Sequence, residues 1–341
     1  MILPIVDFVN EFNEAFDGLC TLNCTHEIMK YYGIQDAFKY IDVALNADLF
    51  WTSLENKTFD LAVKDCLLLK EYQPKIERFS IENGDTRSIY EMNKKTVDSG
   101  VPVIVDLDLY EMEYSKTYQI YHNKHSVILS GYQENNPVLI DMYQWKFKGE
   151  APLEQYLKGR SSSCPVDNSP FSGVPIKNGY YIVEKEGWKG DIEQLLYENL
   201  SNTLHNYYEA PDASPEGITP GVQGLRMLAE LMETWKDCEF EVRVEKLKDI
   251  RKLGMYLKTQ ISVFKYYITE ASQKLGLKET DKLTEEITET MGKWDKFIRF
   301  LIKAFCSNSL EYYDRVIGRY NEMIDIEENR YEAIKTLYTH M

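Results

Sequence analysis

Gly18-Leu-Cys-Thr-Leu-Asn-Cys-Thr-His-Glu-Ile-Met-Lys-Tyr-Tyr-Gly33 is the stretch on which the fold turns. Cys20, Cys24 and Ile28 recur at helical spacing with Met29 and Tyr32 beside them, so Cys20 to Tyr32 reads as a helix. Gly33 supplies its stop. Further along the pattern changes. Val101-Pro-Val-Ile-Val-Asp106 is a short β-branched run after Gly100 and reads as a strand. His125-Ser-Val-Ile-Leu-Ser-Gly131 reads as a second strand, Gln133-Glu-Asn-Asn-Pro137 as a turn, and Val138-Leu-Ile-Asp141 as the start of a third. Two short strands joined by a polar turn make a hairpin. Gly179-Tyr-Tyr-Ile-Val-Glu184 supplies a last strand. Helix and hairpin-paired strands together predict an α+β domain over residues 1–186.

From residue 187 the strand signals stop. Gly187 to Tyr208 contains a helix, and Glu209 to Pro220 is a Pro-rich connection. In the last helical pattern, Tyr313, Val316, Ile317, Tyr320, Ile324, Tyr331, Ile334 and Leu337 keep near-helical spacing with charges between them. Such a stripe predicts buried packing, so residues 187–341 read as an all-α helical domain. At roughly 150 residues per domain, the 341-residue length agrees with two domains.

The composition narrows the function. Hydrophobic residues make up 44% and charged residues 28%, which fits a packed globular chain and excludes a disordered one. The net charge of −16 repels phosphate backbones and makes nucleic acid an unfavourable partner, while a cationic small molecule is attracted. There is no apolar run of membrane-spanning length, and the N-terminal residues lack a basic region ahead of an apolar stretch. No membrane association and a cytoplasmic location are therefore expected. Cys20, Cys24, Cys66, Cys164, Cys238 and Cys306 are scattered, which reads as free thiols.

Chemistry concentrates on three residues. Cys20 opens a helix, where the partial positive charge and free N–H groups favour thiolate over thiol and can receive an oxyanion. Cys24, one turn deeper, reads as an inert core thiol. Of the five histidines, His125 alone opens an apolar strand that holds its ring rigidly. Asp141 follows 16 residues later, across the predicted turn, where paired strands bring the two side chains together. A carboxylate on an imidazole fixes its tautomer and stabilises the imidazolium. The order Cys, His, Asp is compatible with a papain-like triad. The competing readings are a small buried cysteine and a structural histidine. A metal site at Cys20, Cys24 and His26 is disfavoured, because zinc sites use a tighter knuckle and a second ligand pair.

The Gly18–Gly33 stretch resembles the nucleophile helix of papain-like cysteine peptidases that process bacteriocin leaders. Residues Gly100 to Tyr114, His125 to Tyr132, Val138 to Asp141 and Thr219 to Arg226 resemble the family of butirosin biosynthesis protein H, a relative that is not a peptidase. A similar amide-forming enzyme belongs to thioamide antibiotic assembly of the closthioamide type, with a diamine acceptor. The resemblance implies a papain-like cysteine peptidase fold carrying an acyltransferase. Such an enzyme takes an acyl group from the phosphopantetheine thioester of an acyl carrier protein and passes it to a small amine. It implies Cys20 as nucleophile, His125 as base and Asp141 as orienting acid. Asp108 and Tyr114 are implied to line the substrate pocket. No metal and no cofactor of the chain's own are implied, since the carrier brings the phosphopantetheine. One departure stands out: Glu14 occupies the position where a papain-like enzyme often has an oxyanion-donating Gln, leaving Asn13, Asn23 or backbone N–H groups as alternatives. For carrier docking the best basic cluster is Arg243, Lys246, Lys248, Arg251 and Lys252. Two rivals remain: a cysteine peptidase or amidase using the same triad, and a non-catalytic binding protein on the same fold.

Overall fold

A computed structural model of the chain describes residues 1–5, 19–43, 50–53, 58–61, 68–81, 84–142, 146–167, 169, 171–208, 221–277, 280–307 and 309–340. The chain divides into two compact units: Met1–Tyr40 with Asp65–Lys189, and Ile41–Lys64 with Gly190–Met341.

In the first unit, helix α1 (Cys20–Tyr31) packs on an antiparallel sheet. Tyr32 closes the helix and Gly33 follows at φ +75°, the left-handed stop that the sequence predicts. The strands are β3 (Ile76–Phe79), β4 (Val103–Asp108), β5 (Lys124–Gln133), β6 (Asn136–Asp141), β7 (Phe147–Glu150) and β8 (Tyr180–Val183). They lie in the order β3-β8-β4-β5-β6-β7. Val101 and Pro102 fall outside β4, which instead runs on to Asp108. Strands β4, β5 and β6 are buried over most of their length, which is why they read as apolar runs rather than alternating patterns. Helices α2 (Thr86–Asp98) and α3 (Leu153–Ser161) also pack on the sheet. Asp85 caps α2 by accepting the N–H groups of Arg87 and Ser88 at 3.3 and 3.0 Å.

Two backbone details fix the sheet. The N-terminal segment bridges to β5 through Ile2 and Gly131, beside an irregularity in the β5–β6 register. A Cβ on Gly131 would collide with the Met1 carbonyl, so only glycine permits that approach. Arg160, 1% exposed, donates to the carbonyls of Asp106, Gly179 and Asn178 at 3.1, 2.6 and 2.7 Å. It ties α3 to the ends of β4 and β8. This unit is the expected α+β class, a helix on an antiparallel sheet, and is compatible with a papain-like arrangement.

The second unit is helical, with α4 (Ile192–Tyr208), α5 (Gly221–Thr234), α6 (Phe240–Leu275), α7 (Thr280–Phe305) and α8 (Leu310–His340). All eight positions of the stripe predicted between Tyr313 and Leu337 are buried on α8. The Pro-rich connection lies outside the described residues. A small hairpin of β1 (Phe50–Ser53) and β2 (Thr58–Leu61) belongs to this unit. The division expected after residue 186 therefore differs from the observed one, which falls at Lys189 and also gives Ile41–Lys64 to the helical unit. The physical reason is a side chain that imitates a strand: Asn199 of α4 accepts the Val43 N–H at 3.2 Å and donates to the Ile41 carbonyl at 3.1 Å. No local pattern records such a contact. Among the described residues, no helix is long and apolar enough to cross a membrane.

Candidate active site

The site is assembled where the start of β5 meets the first turn of α1. Asp106 and Ser126 stand opposite each other on β4 and β5, and the Asp106 N–H is given to Gly179 on the far side. Antiparallel pairs alternate between hydrogen-bonded and open. Ser126 therefore turns its main-chain groups away from β4, and α1 meets them. Its carbonyl accepts the Cys24 thiol at 3.5 Å, and its N–H donates to the Cys20 sulfur. The Ser126 hydroxyl donates to Asp106 Oδ1 at 2.6 Å and accepts from Thr21 Oγ1 at 3.0 Å. A buried polar chain thus pins the helix mouth to the strand.

His125 stands opposite Leu107 and is 7% exposed. Its Nε2–H donates to Asp141 Oδ1 at 2.8 Å, which leaves Nδ1 to face the Cys20 sulfur, its other hydrogen-bond partner. Asp141, 1% exposed, also accepts from the Tyr114 hydroxyl at 3.1 Å through Oδ2. The Tyr114 ring stacks on Phe147 at 4.0 Å and 3°. The structure therefore brings Cys20, His125 and Asp141 into one relay, with Tyr114 behind it.

The electrostatics follow from that contact order. Burial pushes the Cys20 thiol up, but the charge and hydrogen bond of His125, with the Ser126 N–H, outweigh it and hold the thiol below its ordinary value. Burial pulls His125 down; the Asp141 carboxylate and the Cys20 thiolate overcome this and hold the imidazole well above its ordinary value. These are opposite shifts of one pair, thiolate against imidazolium. Cys24 goes the other way: burial, then the nearby charges of Cys20, Asp141 and Asp106, push its thiol well up, which makes it unreactive. Burial and the Asp141 charge also raise the Tyr114 phenol well up, so it remains a protonated donor. Cys20 itself is partly exposed.

Other expected positions fall elsewhere. Asp108 is 0% exposed, and its carboxylate accepts from His122 Nδ1 (2.7 Å), Ser162 Oγ (2.6 Å) and the N–H groups of Tyr110 and Asn123 (3.1 and 3.0 Å). It holds the loop after β4 to the one after α3. Tyr114 is part-exposed and contacts the relay's carboxylate. His26 donates to Glu27 at 3.2 Å, and among the described residues no group of three or more His, Cys, Asp and Glu is arranged to hold a metal. Asn13, Glu14 and Cys66 lie outside the described residues; Asn23 is buried, and its Oδ1 has no hydrogen-bond partner. Four of the five residues of the basic cluster have contacts within the chain. Arg243 donates to the carbonyls of Lys236 and Cys238, Lys246 lies over the Trp235 ring, and Lys248 and Lys252 pair with Glu245 and Asp249. Sequence reasoning missed Ser126 and Asp106. Their signal was available, since both lie in runs read as strands beside the candidate histidine.

Residues 37–142 match the family model of butirosin biosynthesis protein H, N-terminal. The match covers less than half of the chain and marks a likeness of that segment to the family. It spans Asp108, Tyr114, His125 and Asp141 and stops short of Cys20. No curated protein matches the chain.

Proposed function

We propose that the chain is a cysteine-dependent acyltransferase of natural-product assembly, moving an acyl group from the phosphopantetheine thioester of an acyl carrier protein to a small amine. The observation that carries this reading is the Cys20–His125–Asp141 relay, taken with the family match. The Cys20 thiolate attacks the thioester carbonyl, and the carrier's thiol leaves with a proton from the His125 imidazolium. The new Cys20 acyl thioester retains the energy of the old one. The amine then attacks it, neutral His125 takes the proton from the amine nitrogen, and the Cys20 thiolate is regenerated as the amide departs. Thioester to amide runs downhill, so the exchange balances without ATP. The oxyanion of each step meets the first N–H groups of α1, whose N-terminus has no side-chain cap. Asp141 keeps the imidazole in the tautomer that both proton transfers need.

A peptidase or amidase would use the same three residues. Intact-mass analysis after incubation with acyl-loaded carrier protein separates the two. Acylation of the wild type but not of Cys20→Ala, discharged by an added amine, is the expected result. Peptide cleavage with no thioester loading would overturn the reading.

A further inference from the structure

Cys20 and Thr21 follow each other on α1, and His125 and Ser126 follow each other on β5. Two bridges therefore stand side by side. Cys20 faces His125, and Thr21 Oγ1 meets Ser126 Oγ at 3.0 Å. Asp106 sets the direction of the second bridge. Its Oδ1 takes the Ser126 proton at 2.6 Å, while its Oδ2 meets the Lys124 ammonium at 3.3 Å and the Tyr181 hydroxyl at 3.4 Å. A hydroxyl carries one proton and two lone pairs, so Ser126 Oγ is left to accept and Thr21 donates. A serine oxygen that already donates to a buried carboxylate is the stronger acceptor for it. Thr21, Ser126 and Asp106 are all buried, where water competes little for the bond.

The bridge matters because of where it lies on the helix. Residues four apart on an α-helix stand about 40° apart around its axis, and neighbours about 100°. Cys20 and Cys24 both contact the Ser126 main chain, so those two contacts hold α1 along nearly one line. A helix held along one line can still roll about it. Thr21, more than a quarter-turn round from Cys20, is the contact that opposes the roll. A side-chain atom about 5 Å from the axis moves about 1 Å in a roll of about 10°. Contact between sulfur and imidazole weakens over such a distance, and positioning errors of that size are costly to a reaction.

We infer that Thr21 is a positioning residue of the Cys20 site: its hydroxyl, received by a Ser126 that Asp106 orients, fixes the roll of α1 at which the Cys20 sulfur meets His125. The inference deepens the acyl-transfer reading and rests on it for the loading step alone. Full-length Thr21→Val keeps the shape and loses the hydroxyl; Thr21→Ser keeps the hydroxyl. Both leave in place the described titratable groups around the sulfur, namely His125 of β5, Asp141 of β6, Asp106 of β4 and Cys24 of α1. Cys20 is followed by iodoacetamide labelling against pH and by loading from acetyl N-acetylcysteamine thioester, both read by mass. In Thr21→Val the labelling profile should move up in pH, with a rate at pH 7 about two- to tenfold lower that converges on wild type at pH 10. Thr21→Ser should restore the wild-type profile. Ser126→Ala removes the same bridge from the strand side and carries the same expectation should Thr21→Val not fold. Adding Thr21→Val to Ser126→Ala should shift the profile no further. A folded Thr21→Val with the wild-type profile, whatever its melting temperature, overturns the inference. So does an equal shift in Thr21→Ser, or a second shift in the double variant. A wild type that labels but never loads from the thioester overturns the acyl-transfer reading, while the labelling shift, which needs no acyl donor, still upholds Thr21.

Discussion

Asp141→Asn tests whether the relay is electrostatic or merely a packing contact. The substitution keeps shape and volume but removes a negative charge 2.8 Å from His125 Nε2. A hydrogen bond to a charged group contributes about 1.5–3 kcal/mol net, and about 1.4 kcal/mol is a factor of ten. The imidazolium loses that much support, and the thiolate loses its counter-ion with it. The sign is fixed: wild-type Cys20 has a lowered pKa, so its thiolate persists below the ordinary thiol range near pH 8.5 and disappears only as pH falls through the lowered value. In the variant the profile moves up toward the ordinary value. Iodoacetamide labelling of Cys20 at pH 7 should therefore slow about 10- to 100-fold. At pH 10, where either protein holds a thiolate, the difference should nearly vanish. The assay is labelling rate against pH by peptide mass, with the unreactive Cys24 as internal control. Equal rates at pH 7, or a slowing that persists undiminished at pH 10, would refute the reasoning.

Three further outcomes follow from the same contacts. Tyr114→Phe removes the second donor to Asp141 but keeps the ring on Phe147, so labelling at pH 7 should slow about two- to tenfold, for about 0.5–1.5 kcal/mol, with the melting temperature unchanged. Asp108→Ala leaves His122, Ser162 and two backbone N–H groups without their acceptor. A cost of about 2 kcal/mol or more should lower the melting temperature by at least about 4 °C in a thermal scan. In the helical unit Glu327→Gln strands the 1%-exposed Arg330, whose guanidinium Glu327 pairs at 2.6 Å while also accepting Trp294 Nε1–H. About 3–5 kcal/mol should move the urea midpoint down by more than about 1 M.

What the sequence made legible was whatever periodicity controls. The α1 span, the core strands and the buried stripe of α8 are one-dimensional patterns of apolar spacing, and each is found close to its predicted bounds. The pairing of His125 with Asp141 was legible for a related reason, because a tight turn fixes which residues of two strands meet. Illegible were the contacts that fold distant segments together by hydrogen bonds. Asn199 capturing Ile41 and Val43, Arg160 tying three carbonyls and Asp108 gathering two loops each depend on one polar side chain meeting backbone far away. Asp108 is a further example of such a contact. Its buried carboxylate meets four donors, and spacing along the chain carries no sign of them.

The relay cannot decide between acyl transfer and peptide hydrolysis, because both begin with the same thiolate attack and form an acyl-enzyme. Selectivity must lie in what reaches Cys20 and in what attacks next. Cys20 is partly exposed, so water is not excluded by its burial alone. An enzyme that depends on its acyl intermediate surviving until an amine arrives needs the donor delivered on a docked partner that also covers the thiol. If carrier docking shields the acyl-enzyme, the small-thioester donor should give more hydrolysis per turnover than the carrier-bound donor at equal amine concentration. Partition measured by product mass tests this directly, and equal partition from the two donors would leave docking a matter of delivery alone.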